Sequence, residues 1–431
     1  MNHPRNLFGS LAVLAAFLSV LLSSAPAQAV PAFARQTGMA CLSCHFQNFP
    51  ALNAFGRSFR AQGYTMRGAQ TLLEDEDMSL PSSLNMSLIT KLRYQTLESV
   101  DGGRGEIQWP DEAAFLVGGR ASENVGFLAE IALGAMEVTG ESRGTWNDAN
   151  TNGVIDEGEI VSETEGEAPG NFLSFKAHFN VAENLAIIPF GTDALGAGYG
   201  FELMNTGAQR SQRPIENRKG MSAAQALNLD GAATGFAFVY AANDFFVNYS
   251  HMTPTFGNVN VDIFGGLGHY LRAAWMPNVG GWDTGIGIAS WSGEIDQGPQ
   301  DPAQTDAMDA WVLDAQAQGV IGQDMTLGVY GSYGVAGKSD ATGAQNVYNA
   351  SQTDDREAYA VAAKLGIGNW RPYLAYSTYD VVTDAGGLNQ ISDTTLGFQY
   401  ALAQNINLEL YYVDSDEDGN DYSMVEMFAG F

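Results

Sequence analysis

From about residue 83 onward the chain alternates apolar and polar residues with a period of two, and no other feature narrows its possible folds so far. Leu173, Phe175, Ala177, Phe179 and Val181 share one face of an extended segment, and Ser174, Lys176, His178 and Asn180 share the other. Met86, Leu88, Leu92 and Tyr94 stand against Ser87, Lys91, Arg93 and Gln95 in the same way. Tyr359, Val361, Ala363 and Leu365 oppose Lys364, and Ile406, Leu408, Leu410 and Tyr412 oppose Asn407 and Glu409. One apolar and one wet face suit an antiparallel sheet. The stretch has no fixed internal repeat of the kind a propeller or β-helix requires. With long polar loops between the segments, the pattern predicts an all-β transmembrane barrel, apolar outward and polar inward.

The turns fix the strand number. Tight-turn signals fall at Ser122-Glu123-Asn124, Ala182-Glu183-Asn184, Ala242-Asn243-Asp244, Pro277-Asn278, Gly322-Gln323-Asp324, Gly368-Asn369 and Gln404-Asn405. Longer acidic or glycine-rich loops lie between them. Seven short turns and eight long loops connect sixteen antiparallel strands, which puts both termini on the short-turn side, periplasmic or luminal. Val425, Met427, Ala429 and Phe431 alternate up to a terminal aromatic, an ending that resembles the recognition strand of outer-membrane barrels.

The expected division is 1–29, a secretory signal; 30–80, a small cofactor module; and 81–431, the barrel. Arg5, the apolar run Leu11–Leu22 and the small-x-small site Ala27-Gln28-Ala29 make the signal. No second run of about 20 apolar residues follows, which excludes a helical membrane protein. A net charge of −29 excludes sequence-independent nucleic-acid binding, since phosphates need clustered Lys and Arg.

Both cysteines fall in Cys41-Leu42-Ser43-Cys44-His45, the C-x-x-C-H spacing of c-type haem attachment. Two thiols one short turn apart can bond the two vinyl groups of one porphyrin, and the adjacent His45 reaches the iron as axial ligand. A zinc site would need a fourth ligand; a plain disulfide is the other reading. Leu52, Phe55 and Phe59 recur at helical spacing within 49–64 and can cover one haem face. Arg57 and Arg60 on that helix are candidate propionate contacts, or simply solvated. Met66 is the first candidate for the sixth iron ligand. His178, on the predicted luminal face, is the second; the plain alternative for it is a wall residue.

Among the loops, Asp148, Asn150, Asn152, Val154, Asp156 and Glu159 fit positions 1, 3, 5, 7, 9 and 12 of a calcium loop, with Gly153 at the sharp turn. Its flanking strands make it a structural Ca²⁺ clip rather than a helix-loop-helix sensor, and the alternative is an acidic solvated loop. The loop 414–421 is acidic but lacks a closing Glu. The loop near 193–231 carries Arg210, Arg213, Arg218 and Lys219, either as a solvated patch or folded into the lumen.

Phe33-Ala34-Arg35-Gln36-Thr37-Gly38-Met39-Ala40-Cys41 through His45, with Asn53-Ala54-Phe55-Gly56-Arg57 and Gly63-Tyr64-Thr65, resembles the fused monohaem cytochrome–porins of the bacterial outer membrane, including those of iron-oxidising bacteria. The likeness covers about 35 residues, and the barrel matches in architecture and length only. It implies one haem c on Cys41, Cys44 and His45, fused to a barrel in outer-membrane lipid. It also implies transfer of electrons from an extracellular reductant, foremost Fe(II), to a periplasmic c-type cytochrome, an Fe(II):cytochrome c oxidoreductase activity. The apolar band of such a barrel is about 25 Å tall, so electron conduction favours a module inside the lumen. Two other functions compete: a transport porin with a structural or sensory haem module, and, more weakly, a haem-dependent oxygen or peroxide enzyme. Plugging separates the first from the porin, because a plugged barrel conducts ions poorly.

Overall fold

The computed structural model describes residues 32–68, 70–76, 79–97, 105–133, 145–146, 160–161, 172–209, 215, 222–256, 266–296, 305–340, 344–383, 386–403, 405–417 and 421–431. The signal segment, the calcium-like loop 148–159 and the four cations Arg210, Arg213, Arg218 and Lys219 lie outside these residues.

Sixteen antiparallel strands close into one barrel. They are β1 Met86–Leu97, β2 Gly105–Arg120, β3 Val125–Ala132, β4 Phe172–Ala182, β5 Leu185–Thr192, β6 Ala233–Ala242, β7 Phe245–Thr253 and β8 Gly268–Trp275. The second half continues with β9 Trp282–Asp296, β10 Thr305–Ile321, β11 Met325–Ala336, β12 Arg356–Ile367, β13 Trp370–Val382, β14 Leu388–Ala403, β15 Ile406–Ser415 and β16 Tyr422–Gly430. Each strand pairs with its chain neighbour, and β16 closes the ring on β1 with Val425 opposite Tyr94. Closure leaves no edge for another chain to pair with.

All seven predicted short turns join successive strands. Asn184, Asn243 and Asn405 have φ of 62°, 49° and 64°, the left-handed conformation that a two-residue hairpin demands and that Asn tolerates. A small hairpin, Leu72–Glu74 with Ser79–Pro81, precedes the barrel and straddles the expected boundary at residue 81.

The barrel is built inside out relative to a water-soluble protein. On β4, Lys176 and His178 are each 2% exposed, whereas Phe175 and Phe179 are 43% and 40% exposed. Tyr240, Phe245, Trp275 and Trp370 stand exposed beside short turns. That is the position of an interfacial aromatic girdle, where one end of each ring meets apolar chains and the other meets water. No described helix is long and apolar enough to cross a membrane.

Part of the chain occupies the lumen. The loop between β5 and β6 turns inward, with Tyr199, Phe201, Met204 and Leu227 each at most 2% exposed. Its Ile215 packs with Tyr330, Tyr373 and Tyr411 on the wall. Its short helix Ala223–Ala226 is tied to β11 by Ser332, whose hydroxyl accepts from the Ala223 N–H at 2.9 Å. The main clamp is ionic. Arg272 on β8 donates to Glu202 of the loop at 2.8 Å and to both oxygens of Asp314 on β10 at 2.7 and 2.8 Å. Thr206 of the loop donates to Asp314 as well. The described residues of this loop are luminal; its four cations, which the sequence left either in a solvated patch or in the lumen, lie outside them. Arg272→Ala strands two buried carboxylates, a loss of about 3–5 kcal/mol. The expected result is faster proteolytic cutting within 193–231 while a semi-native gel still shows a closed barrel, because the strand ladder is untouched.

Candidate functional site

The segment 32–68 builds a compact knot before the barrel begins. Helix α1, Ala32–Thr37, stops at Gly38, whose φ of 74° lets its N–H reach the Ala34 carbonyl at 2.8 Å. Phe33 of α1 stacks on Tyr64 at 4.8 Å and meets Phe59 edge-on at 5.3 Å. A single 3₁₀ turn, Cys41–Ser43, follows; the N–H groups of Cys44 and His45 both return to the Cys41 carbonyl, at 3.0 and 2.9 Å. This turn brings Cys41, Cys44 and His45 onto one loop.

Helix α2 runs from Ala54 to Ala61, shorter than the helical pattern over 49–64 implies. Pro50 disfavours helix at its predecessor, and Asn53 caps α2 by accepting from the Gly56 N–H at 2.9 Å. Of the three predicted apolar positions, Phe59 is buried on Phe33 and Tyr64, Phe55 is exposed, and Leu52 bridges His45 from outside the helix. Gly56 lies against the Cys44 carbonyl, and a Cβ there would collide with that backbone oxygen. Gly56→Ala should therefore push α2 off the attachment loop and sharply reduce covalent haem in the purified protein, read as the ratio of haem absorbance to protein.

The chemistry of this loop fits a haem c. The His45 Nδ1 faces the carbonyls of Ala51 and Pro50 at 3.1 and 3.3 Å. With its proton on Nδ1 the ring keeps the Nε2 lone pair for a metal. Desolvation lowers the imidazole pKa, so the ring is neutral as a ligand must be. Both cysteines are free thiols, held protonated by burial, which raises their pKa values. Around them Leu42, Phe49 and Phe55 are 59%, 39% and 38% exposed, an apolar surface that a porphyrin would cover.

The knot is lodged in the barrel at its short-turn end. Gln47 donates to the Thr326 hydroxyl and the Lys364 carbonyl, both at 3.1 Å, and Arg371 donates to the Gln47 carbonyl at 2.9 Å. Lys364 donates to Asn48 at 2.6 Å, Phe49 stacks on Phe428 at 5.5 Å, and the Cys41 thiol meets Asn405 at 3.0 Å. Asn205 of the luminal loop takes both backbone groups of Leu52, each at 2.8 Å. Gln36 donates to the Tyr64 and Met66 carbonyls at 2.6 and 3.0 Å, and its oxygen accepts from the Arg120 N–H at 3.2 Å. Thr326, Arg371, Asn405 and Arg120 all lie in or beside short turns.

The candidate residues fare differently. Arg57 forms a two-pronged ion pair with Asp283 of β9, one arm at 2.6 Å, which docks α2 on the barrel wall. Arg60 donates to Gln209 at 2.8 Å, and its Nε has no partner. The Met66 carbonyl is held by Gln36 and its side chain is half-buried. His178 does face the lumen, and its ring lies against Gly63 beyond the far end of α2 from Gly56 and Cys44. Gly56 lies in the first turn of α2 and Gly63 just past its last, so His178 meets the opposite end of α2 from the attachment loop. The calcium-like loop lies outside the described residues, bounded by the paired segments Thr145–Trp146 and Ile160–Val161. Sequence reasoning passed over Lys176 and Asn205; the luminal phase of β4 pointed to the first, and nothing local pointed to the second.

No protein-family model matches the chain, and no curated protein does. Among solved structures, Salmonella typhi OmpF in complex with daunomycin is similar, at 13% identity and TM-score 0.50, over 84% of this chain and 100% of that one. OmpT of Vibrio cholerae aligns at 11% identity and TM-score 0.48, over 84% of this chain and 100% of that one. A porin refined at 1.8 Å aligns at 17% identity and TM-score 0.44, over 81% and 100%. The OmpF likeness is one of fold, a porin-like closed barrel.

Proposed function

We propose that this chain is an outer-membrane protein that takes electrons from an extracellular reductant, foremost Fe(II), and hands them to a periplasmic c-type cytochrome through one haem on Cys41, Cys44 and His45. The observation that carries the reading is the occupied lumen. Arg272 clamps Glu202 of the inward-turned loop beside Asp314, and segment 32–68 is lodged in the short-turn end with the C-x-x-C-H loop beside Asn405. Open diffusion of solutes needs a bore that stays clear. The haem would supply a centre that gains and loses one electron. The chain's own residues do the rest. Cys41 and Cys44 fix the porphyrin, the carbonyls of Pro50 and Ala51 orient His45, and Arg57, Gln36 and Gln47 hold the knot to the wall. The inverted burial of the strands and the aromatic residues beside the short turns support the membrane, and by convention of such barrels the short turns face the periplasm.

The porin-like fold taken by itself favours a second reading, a transport porin whose N-terminal knot is structural or sensory. Sealed vesicles holding the oriented protein, with a cytochrome trapped inside, separate the two: reduction of the trapped cytochrome by outside Fe(II) supports electron transfer. Free ion leakage without reduction supports the porin.

The loop 148–159 belongs to this reading as an extracellular Ca²⁺ clip. Glu159 closes the site bidentately, so Glu159→Gln should remove most of the affinity in calorimetry. Absence of Ca²⁺ uptake by the wild type at millimolar concentration would leave it an acidic loop.

A further inference from the structure

Where the knot meets β4, two basic side chains and a histidine gather in the interior, while Glu130 of β3 bonds Ser174 on the same luminal face. Arg60 of α2 and Lys176 and His178 of β4 are 9%, 2% and 2% exposed. They lie close enough to act on one another electrostatically. Among the described residues none of the three is paired with a carboxylate, in a chain whose net charge is −29. Their compensation is neutral: Lys176 donates to the Tyr199 carbonyl at 2.7 Å and sits over the Tyr199 ring at 4.4 Å, while Arg60 donates to the Gln209 side chain. Two buried nitrogens are left over, Arg60 Nε and His178 Nε2, both without a hydrogen-bond partner. Burying a cation costs free energy unless an anion offsets it, and leaving a buried donor unpaired adds to the cost. Gly63 allows the approach, since a Cβ at that position would collide with the His178 ring.

We propose that Arg60, Lys176 and His178 form a carboxylate-binding site, and that the carboxylate is a propionate of the haem carried by Cys41 and Cys44. The source of the carboxylate rests on the function proposed above; the site itself does not. Gly56 touches the attachment loop from the first turn of α2 and Gly63 meets His178 just past its last turn, so one short helix links the attachment loop to the basic cluster. The knot and the barrel wall would thus hold one prosthetic group between them: thioether bonds from the knot, ionic contacts from the wall. The site also bears on redox behaviour. A fixed positive charge beside the group favours the reduced, more negative form.

The test uses the full-length protein. Lys176→Gln and Arg60→Gln should keep haem stain on a denaturing gel, lower the midpoint potential, and shift the propionate bending band in resonance Raman spectra. Lys338→Gln, at an exposed lysine just past β11 on the side away from the short turns, should leave both unchanged. Adding acetate should not move the wild-type potential, because the site is already filled from within. A stained wild type whose potential moves with acetate gives the site to a free carboxylate and overturns the propionate assignment. So do Lys176→Gln and Arg60→Gln variants with unchanged potential and Raman band. If the wild type carries no covalent haem, the proposed function fails separately. The His178 ring resonance should then respond to acetate in the wild type and not in Lys176→Gln, and no response in either overturns the site altogether.

Discussion

Wild-type protein matured in a host that attaches haem c should stain for haem on a denaturing gel and keep its colour through acid–acetone extraction, and Cys44→Ala should lose most or all of the stain. The expectation rests on covalency. Cys41 and Cys44 are free thiols on one short turn, with His45 brought beside them by the same Cys41 carbonyl. A porphyrin held only by His45 dissociates when the protein unfolds, whereas a thioether survives it. Cys41→Ala should be as severe. His45→Ala separates attachment from ligation: stain persists if the thiols still react, but the absorption spectrum shifts because the iron loses its imidazole ligand. Wild-type haem that washes out in acid–acetone would sink the cofactor assignment. The barrel should form in every one of these variants, since none of the three residues belongs to the strand ladder.

How much of this the sequence disclosed follows from the range of the forces involved. Alternation along a strand and the left-handed residues of a tight turn are local, so Ser174 to Asn180 and Asn184, Asn243 and Asn405 could be read directly. The C-x-x-C-H loop was equally local. The extent of α2 was misjudged because three apolar residues at helical spacing outweighed Pro50 and the capping Asn53, both in plain view. Other features depend on partners far along the chain. Arg57 meets Asp283 across 226 residues, and Arg272 meets Glu202 across 70. No periodicity encodes which arginine finds which carboxylate, so Arg57 looked available for a propionate and the luminal loop could have been solvated. His178 was legible as a luminal residue and not as a neighbour of Gly63, because that contact appears only once the knot is docked.

Fe(II) added outside sealed, oriented vesicles should reduce a c-type cytochrome trapped within them, and the rate should fall as salt rises. The chain carries 49 acidic against 20 basic residues, so a divalent cation approaches a surface of opposite sign. Steering of this kind raises encounter rates by about tenfold or more, and the screening length shortens to about 8 Å at 0.15 M salt. The second-order reduction rate should therefore drop by roughly tenfold between low salt and 0.15 M, while later first-order steps within the protein stay constant. The sequence stretches 139–170 and 414–421 are acid-rich, and β3 and β15, which lead to them, end on the side away from the short turns. Ion conductance gives the independent control. With residues 197–209 and 222–229 folded into the lumen and the short-turn end occupied by segment 32–68, current through the wild type should be small. Arg272→Ala, which frees the loop, should raise it. The ordering of the two readouts decides between the readings: conductance that is high in the wild type, with the trapped cytochrome still oxidised, is the behaviour of a transport porin. Low conductance with salt-sensitive reduction is the behaviour of an electron carrier.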